Sequence, residues 1–126
     1  MAVIVAADDE PAVRELISRI LEGAGHTVIT VHDGGAAIVR VRELRPDLIL
    51  LDGLMPPGMS GFDAFAVLHD DDELSAIPVM IVTGSVTPDE VRRQLPDVCD
   101  VVTKPFTPDE LLHCVRRMLG LPGPST

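Results

Sequence analysis

Acidic, hydroxyl and ammonium side chains follow the short apolar runs of this sequence. Asp8 and Asp9 follow the first run, Asp52 ends the third, Thr83 ends the fourth and Lys104 follows the fifth. Carboxylates a few ångströms apart repel one another and raise each other's pKa unless a cation joins them. Mg²⁺ takes carboxylate and phosphate oxygens as ligands. A carboxylate flanked by such a metal, an ammonium and a hydroxyl is placed to attack a phosphoryl group.

Each of these residues also has an ordinary structural interpretation. Asp8 and Asp9 alone could be helix-capping acids, Thr83 a strand-end hydroxyl and Lys104 a surface charge. Their shared position after apolar runs favours one site, in which Asp9 and Asp52 are the candidate direct metal ligands and Asp8 acts through water.

The apolar runs alternate with amphipathic segments, which is typical of a parallel sheet covered by helices on both faces. The predicted strands are residues 2–7, 26–31, 47–52, 77–83 and 98–103. We expect a flavodoxin-like α/β fold, doubly wound, with five β–α pairs and the strand order 2-1-3-4-5. In that order strands 1, 3, 4 and 5 are neighbours, so the polar residues at their carboxyl ends meet at one edge.

Local sequence marks the helix starts. Pro11 opens the first helix, whose apolar stripe includes Val13, Leu16, Ile17 and Leu21, and Gly23 and Gly25 supply its stop. The second helix follows the Asp33-Gly34-Gly35 turn and covers Ala37 to Leu44, and the third runs from Phe62 to Asp70. Thr-Pro-Asp-Glu, a capping signature, opens the last two helices at Thr87 and Thr107, and Pro96 ends the fourth.

The composition is that of one globular domain with an aliphatic core. Hydrophobic residues make up 46% of the 126 residues, and there is no Trp or Tyr to stack on a flat cofactor. The formal net charge of −10 argues against direct binding to nucleic acid, which depends on neutralising phosphates. There is no basic leader and no apolar run of membrane-spanning length, so we expect a cytoplasmic protein with no membrane partner.

We expect one domain over residues 1–120 and a flexible tail or linker stub over residues 121–126. The chain is then either a single-domain protein or a domain excised from a longer one. Cys99 and Cys114 both fall within apolar patterns, and we interpret them as free buried thiols in a reducing compartment.

Four motifs together resemble those of the response-regulator receiver domain, the phosphoacceptor module of two-component signalling. The resemblance covers nearly the whole chain, and the set of four at these strand ends is highly specific. The motifs are Asp8-Asp9-Glu10-Pro11, Asp52 with Met55-Pro56 and Gly61-Phe62, Thr83-Gly84, and Lys104-Pro105-Phe106.

The resemblance implies that Asp52 takes a phosphoryl group from a sensor histidine kinase or a histidine phosphotransfer protein. It further implies that Mg²⁺ or Mn²⁺ binds to Asp8, Asp9, Asp52 and the backbone carbonyl of Leu54. Thr83 would turn toward the phosphoryl group and Lys104 would pair with it. Such a domain is a phosphoacceptor rather than a turnover enzyme, and it regulates a downstream protein or a C-terminal output domain. The Lys104-Pro105 peptide bond is expected to be cis.

The sequence departs from the family pattern at several positions. The run from Met55 to Gly61 is one residue longer than the family's Met-Pro-x-Met-x-Gly. Val101 stands where the family usually has a Tyr or Phe that reports phosphorylation by turning inward, and a valine cannot swing as a ring does. Leu54 and Ser85 occupy two variable positions that usually tune dephosphorylation. Because Leu54 offers no hydrogen bond to an attacking water, our hypothesis is that the acyl phosphate is hydrolysed slowly.

Two alternatives stand beside a phosphorylatable receiver. One is a receiver fold used as an interaction module that signals without phosphorylation, which Val101 and the longer loop keep open. The other is a flavodoxin-like cofactor binder, which the sequence disfavours because strand 1 runs into acids rather than into a Ser/Thr/Gly-rich phosphate loop.

Overall fold

Strands and helices alternate along the chain in the computed structural model, which describes residues 1–84, 86–95 and 100–120. The strands are β1 (Val3–Ala7), β2 (Thr27–Val31), β3 (Leu48–Asp52), β4 (Val79–Thr83) and β5 (Asp100–Thr103). The helices are α1 (Pro11–Gly23), α2 (Gly34–Leu44), α3 (Gly61–His69), α4 (Pro88–Gln94) and α5 (Pro108–Met118).

All strand pairs in the sheet are parallel, and the order is β2-β1-β3-β4-β5. This confirms the predicted flavodoxin-like order. The register aligns Asp52 with Val82 and Thr83 with Thr103, so the carboxyl ends of β3, β4 and β5 lie level with one another. The side chains that follow these strands therefore open onto one edge of the sheet.

The sheet separates two apolar layers, as expected for a doubly wound fold. Alternate residues of β1, β3 and β4 point to opposite faces, which is why these strands are apolar throughout. Ile49 and Ile81 pack with α2 and α3 on one face. Ile4 and Leu50 pack with α1 and α5 on the other.

Side-chain caps begin four of the five helices. The hydroxyls of Thr87 and Thr107 accept hydrogen bonds from the backbone N–H groups of Glu90 and Glu110, as the repeated Thr-Pro-Asp-Glu sequence predicted. Asp33 caps α2, and Ser60 caps α3. These caps fix where α2 and α3 start, and both starts lie beside the carboxyl end of β3.

The predicted boundaries need small corrections. Strands β1 to β4 begin one or two residues later than predicted, and α2 begins earlier, at Gly34, because the Asp33 cap directly precedes it. Leu16 does not join the buried stripe of α1 but is 42% exposed. Ile17 and Leu21 reach the sheet, whereas Leu16 lies on the flank of the helix.

Some predictions fall outside the described residues: those for Ser85, Pro96, Cys99, the first two residues of the fifth strand and the tail 121–126. Cys114 is a free thiol but only half-buried, because its helix turns that position toward the edge of the core. Among the described helices, none has the length and apolarity to cross a bilayer.

Candidate functional site

The five predicted polar residues lie at the carboxyl edge of the sheet, as the strand order requires. Asp8 is 1% exposed, Asp52 is 5% exposed and Thr83 is fully buried. Asp9 is partly exposed, one residue farther out. Buried carboxylates are costly without a cationic partner, so their presence here calls for one.

Lys104 supplies that cation. Its Nζ lies 2.7 Å from Asp8 Oδ2, 3.2 Å from Asp52 Oδ2 and 3.8 Å from Glu10 Oε1. The contact with Asp52 is a hydrogen bond, and the contact with Asp8 Oδ2 is the shortest of the three ion pairs. With the Lys104 side chain only 16% exposed, these interactions are little screened by solvent.

The backbone brings Lys104 over the site. Its N–H donates to the carbonyl of Thr83 at 2.9 Å, which ties the end of β4 to the residue after β5. A Cβ at Gly84 would lie 3.2 Å from Lys104 Cβ, so the small residue lets the lysine stem pass close to the chain. The Lys104-Pro105 peptide bond is cis, as the resemblance predicted.

Thr83 faces the residue that follows Asp52. A Cβ built on Gly53 would lie 3.2 Å from Thr83 Oγ1 and 3.1 Å from the Phe62 ring, so Gly53 leaves the hydroxyl room beside the end of β3. Leu54, in contrast, turns its side chain outward and is 47% exposed. Its backbone carbonyl as a metal ligand stays a prediction.

Asp8, Asp9 and Glu10 form an acid cluster in which one carboxylate oxygen from each lies within 4.8 Å of the others. Asp8 Oδ1 accepts the N–H of Glu10 at 2.9 Å, and the buried Asp8 Oδ2 is paired with the Lys104 ammonium. A donor set made only of carboxylate oxygens fits a hard divalent cation such as Mg²⁺. Asp52 is joined to this cluster through Lys104.

Burial raises the pKa of Asp52 to about 6, and the negative charge of Asp8 adds to the effect. Lys104 opposes both and prevents a larger rise. For Lys104 itself, burial would lower the pKa, but contact with Asp8 and the charge of Asp52 outweigh burial and raise it. In the metal-free protein, therefore, Lys104 stays charged, whereas burial and the charge of Asp8 make ionisation of Asp52 less favourable than in water.

Replacing Asp52 by the neutral isostere Asn is expected to stabilise the metal-free protein at neutral pH. Because the folded pKa is raised, folded Asp52 keeps a proton that the unfolded chain has released, and stability falls as the pH rises from about 4 to about 6. The Asn variant escapes this loss, so its free energy of unfolding should exceed that of the wild type by about 1–2 kcal/mol near pH 7.

Urea denaturation without divalent cations, followed by circular dichroism, measures this difference. Near pH 3 the advantage of Asn should largely disappear, since Asp52 is then mostly protonated in both the folded and the unfolded state. An Asn variant that is less stable at neutral pH, or equally favoured at both pH values, contradicts the argument.

Sequence reasoning singled out the acids at positions 8, 9 and 52 but gave no separate role to Glu10. The structure adds it to the site through the acid cluster and through its 3.8 Å approach to Lys104. Its place directly after two candidate ligands was the available indication. An acid next to Pro11 at the start of a helix is already explained by its favourable interaction with the helix dipole, however. A role in the site is therefore hard to recognise from the sequence.

Comparison with known proteins agrees with this geometry. Residues 4–116 match the response regulator receiver domain family. The chemotaxis response regulator CheY4 of Vibrio cholerae has a similar structure, with a TM-score of 0.86 and 29% identity over 94% of this chain and 99% of that one.

Two relatives differ in how much of them is matched. The DNA-binding response regulator MtrA of Mycolicibacterium smegmatis is 42% identical over 92% of this chain but only 50% of its own length, so the chain spans about half of that relative. The protein PilH of Pseudomonas aeruginosa is 37% identical over 95% of this chain and 99% of its own length. The chain therefore belongs to the response regulator receiver domain family, the phosphoacceptor domains of two-component signalling.

Proposed function

We propose that Asp52 is the phosphoacceptor of this receiver domain. The observation that carries the proposal is the buried Asp52 carboxylate at the end of β3, hydrogen-bonded at 3.2 Å by the ammonium of Lys104. A desolvated carboxylate beside a fixed positive charge can act as a nucleophile toward an anionic phosphoryl group, because the ammonium offsets the repulsion between them.

The transfer forms a bond between an Asp52 oxygen and phosphorus and breaks the bond between phosphorus and the donor's imidazole nitrogen. The nitrogen that leaves takes up a proton from solvent, so the products are an aspartyl phosphate and a neutral histidine. Lys104 is within reach of the phosphoryl oxygens because it already contacts Asp52. Thr83, buried beside Gly53, would donate its hydroxyl to the same oxygens.

Asp8, Asp9 and Asp52, with the carbonyl of Leu54, would hold Mg²⁺ or Mn²⁺. Support comes from the acid cluster, whose members offer carboxylate oxygens as ligands, and from the burial of Asp8 and Asp52. When bound, the cation neutralises charge on the acids and on the phosphoryl oxygens. Glu10, in the same cluster, would remain near Lys104 and help to hold the ammonium over the site.

The proposed donors are a sensor histidine kinase or a histidine phosphotransfer protein, as the family implies. The outputs we propose are a downstream protein, or an output domain if the chain is part of a longer protein. The half-length match to MtrA supports the second output, and the full-length match to PilH supports the first.

Incubation with Mg²⁺ and a small acyl-phosphate donor tests the proposal. Intact mass spectrometry should show the gain of one phosphoryl group, and chelation of the cation should prevent it. Hydroxylamine should remove the group, because it cleaves acyl phosphates but not phosphate esters. No gain of mass would overturn the proposal and would favour an interaction module that works without phosphorylation.

A Leu54→Asn substitution is expected to accelerate loss of the phosphoryl group. Leu54 is 47% exposed beside Asp52 and has no polar atom to orient an attacking water, whereas an Asn amide can do so. Positioning of one water by one hydrogen bond is worth about a tenfold change in rate. Release of inorganic phosphate over time measures it, and Leu54→Met is the matched control. Equal rates for all three proteins would rule out this role.

A further inference from the structure

The loop of residues 53–61 is anchored at both ends and exposed in its middle. The N–H of Gly61 donates to the carbonyl of Gly53 at 3.1 Å, and the side chain of Met55 is 1% exposed in the core. Residues 56–59 are exposed. Because the ends are fixed, the extra residue in this loop has to be accommodated in the middle.

The middle of the loop rests on the turn before α2. The N–H of Gly34 donates to the carbonyl of Met59 at 2.8 Å, and a Cβ at Gly34 would lie 2.7 Å from the Ser60 carbonyl oxygen. A Cβ at Gly58 would lie 2.5 Å from both Cβ and Oδ2 of Asp33. Gly34 and Gly58 therefore let the loop and the turn before α2 approach each other more closely than any larger side chain would allow.

Asp33 cannot easily yield to a larger residue at position 58. Its Oδ1 accepts the N–H of Ala36 at 2.8 Å as the cap of α2, and its Oδ2 lies 3.5 Å from His32 Nε2. Loss of such a cap costs stability, so the side chain is held in one place. The contact between Gly58 and Asp33 is thus a fixed point for the loop.

This contact borders the acid cluster. A cavity of about 250 Å³ lies between the loop and the turn, with Asp9, His32 and Asp33 on one side and residues 55–58 on the other. The loop therefore forms one wall of the space onto which Asp9 opens. The same loop carries Leu54, two residues after Asp52.

We propose that Asp33 and Gly58 are positioning residues for the divalent-cation site. Their contact fixes loop 53–61 beside Asp9, and the loop in turn fixes the surroundings of the cation. The inference rests on the proposed function, in which Asp8, Asp9 and Asp52 bind Mg²⁺. Neither Asp33 nor Gly58 is itself a ligand in this proposal.

Titration of the full chain with Mg²⁺ alone, by isothermal titration calorimetry, tests the inference. Gly58→Ala forces the loop away from Asp33 and should raise the Mg²⁺ dissociation constant about tenfold, the usual effect of disturbing groups that support metal ligands. Gly35→Ala is the matched control, because its new Cβ would lie at an ordinary 3.5 Å from Asp33 Oδ1. That variant should bind Mg²⁺ like the wild type.

Exchanging the large and small residues between positions 33 and 58 separates the effect of packing from the effect of the Asp33 charge. Asp33→Gly removes the atoms that Gly58 approaches and should also weaken Mg²⁺ binding, at a small cost to the helix cap. Adding Gly58→Ala to Asp33→Gly should restore part of the affinity, since the new methyl group fills the space. The carboxylate is absent from both Asp33→Gly proteins, so this recovery reports on packing alone.

The outcomes distinguish this inference from the proposed function. A wild-type chain that binds no Mg²⁺ overturns the proposed cation site and this inference with it. A wild-type chain that binds Mg²⁺, with Gly58→Ala binding equally well, overturns the positioning role alone. An equal loss in Gly35→Ala, or no recovery in the double variant, also overturns it. Urea midpoints close to the wild-type value verify that each variant is folded.

Discussion

An Asp52→Asn variant is expected to gain no mass when it is incubated with Mg²⁺ and a small acyl-phosphate donor. The amide nitrogen and oxygen keep the shape of the carboxylate but lack its negative charge, so the variant has no nucleophilic oxygen at the end of β3. Loss of a nucleophile lowers the rate of its reaction by about 100-fold or more. The fold should persist, because removing a disfavoured buried charge does not weaken the core.

The comparison that matters is with an acid outside the site. Asp63 lies exposed in the first turn of α3, and an Asp63→Asn variant should take up the phosphoryl group at the wild-type rate. Intact mass spectra of the three proteins over time provide the measurement. A mass gain that persists in Asp52→Asn would place the phosphoryl group elsewhere and overturn the assignment of Asp52.

Gly61→Ala is expected to destabilise the protein strongly, by about 3 kcal/mol, the upper end for overpacking of a well-packed site. A Cβ at Gly61 would lie 2.0 Å from the carbonyl oxygen of Asp52 and 3.1 Å from Leu51 Cβ. Both are parts of the central strand, and neither is the flexible end of a side chain. Either α3 or the end of β3 must move, and the Gly61 N–H would lose its bond to Gly53.

The matched control is Gly23→Ala, at the last residue of α1. A Cβ there meets nothing within 4 Å and the backbone does not have a positive φ, so stability should stay within about 0.5 kcal/mol of the wild type or rise slightly. Urea denaturation followed by circular dichroism measures all three proteins. A Gly61→Ala variant as stable as Gly23→Ala would show that the start of α3 is not confined by Asp52.

Local chemistry explains why so much of the fold could be predicted from the sequence. A Thr-Pro-Asp-Glu segment favours the start of a helix, because the Thr hydroxyl can accept a hydrogen bond from the backbone N–H three residues later. Likewise, a run such as residues 48–51 has to be buried on both faces of a sheet. The position of Asp52 at a strand end followed from that pattern alone.

The convergence of Asp8, Asp52 and Lys104 was predictable for a different reason. Parallel strands present their carboxyl ends at one edge, so residues distant in sequence meet once the strand order is known. The sequence could not tell that Lys104 lies between the two carboxylates, closer to Asp8 than to Asp52, with Glu10 also near. Those distances depend on side-chain rotamers and on the backbone after β5, which no local pattern encodes.

The longer loop shows most clearly where the sequence stops being informative. The sequence shows the extra residue between Met55 and Gly61. It does not show how the longer loop lies against the rest of the site. Contact with Asp33 depends on the packing of α2 against α3, since Gly34 starts α2, Ser60 caps α3, and the two residues lie against each other. The sequence by itself determined the fold and the position of the acids, Asp52 among them, at the carboxyl ends of the strands. The tertiary structure alone decided which neighbours hold them, because close packing between distant segments selects one arrangement among many that the local sequence permits.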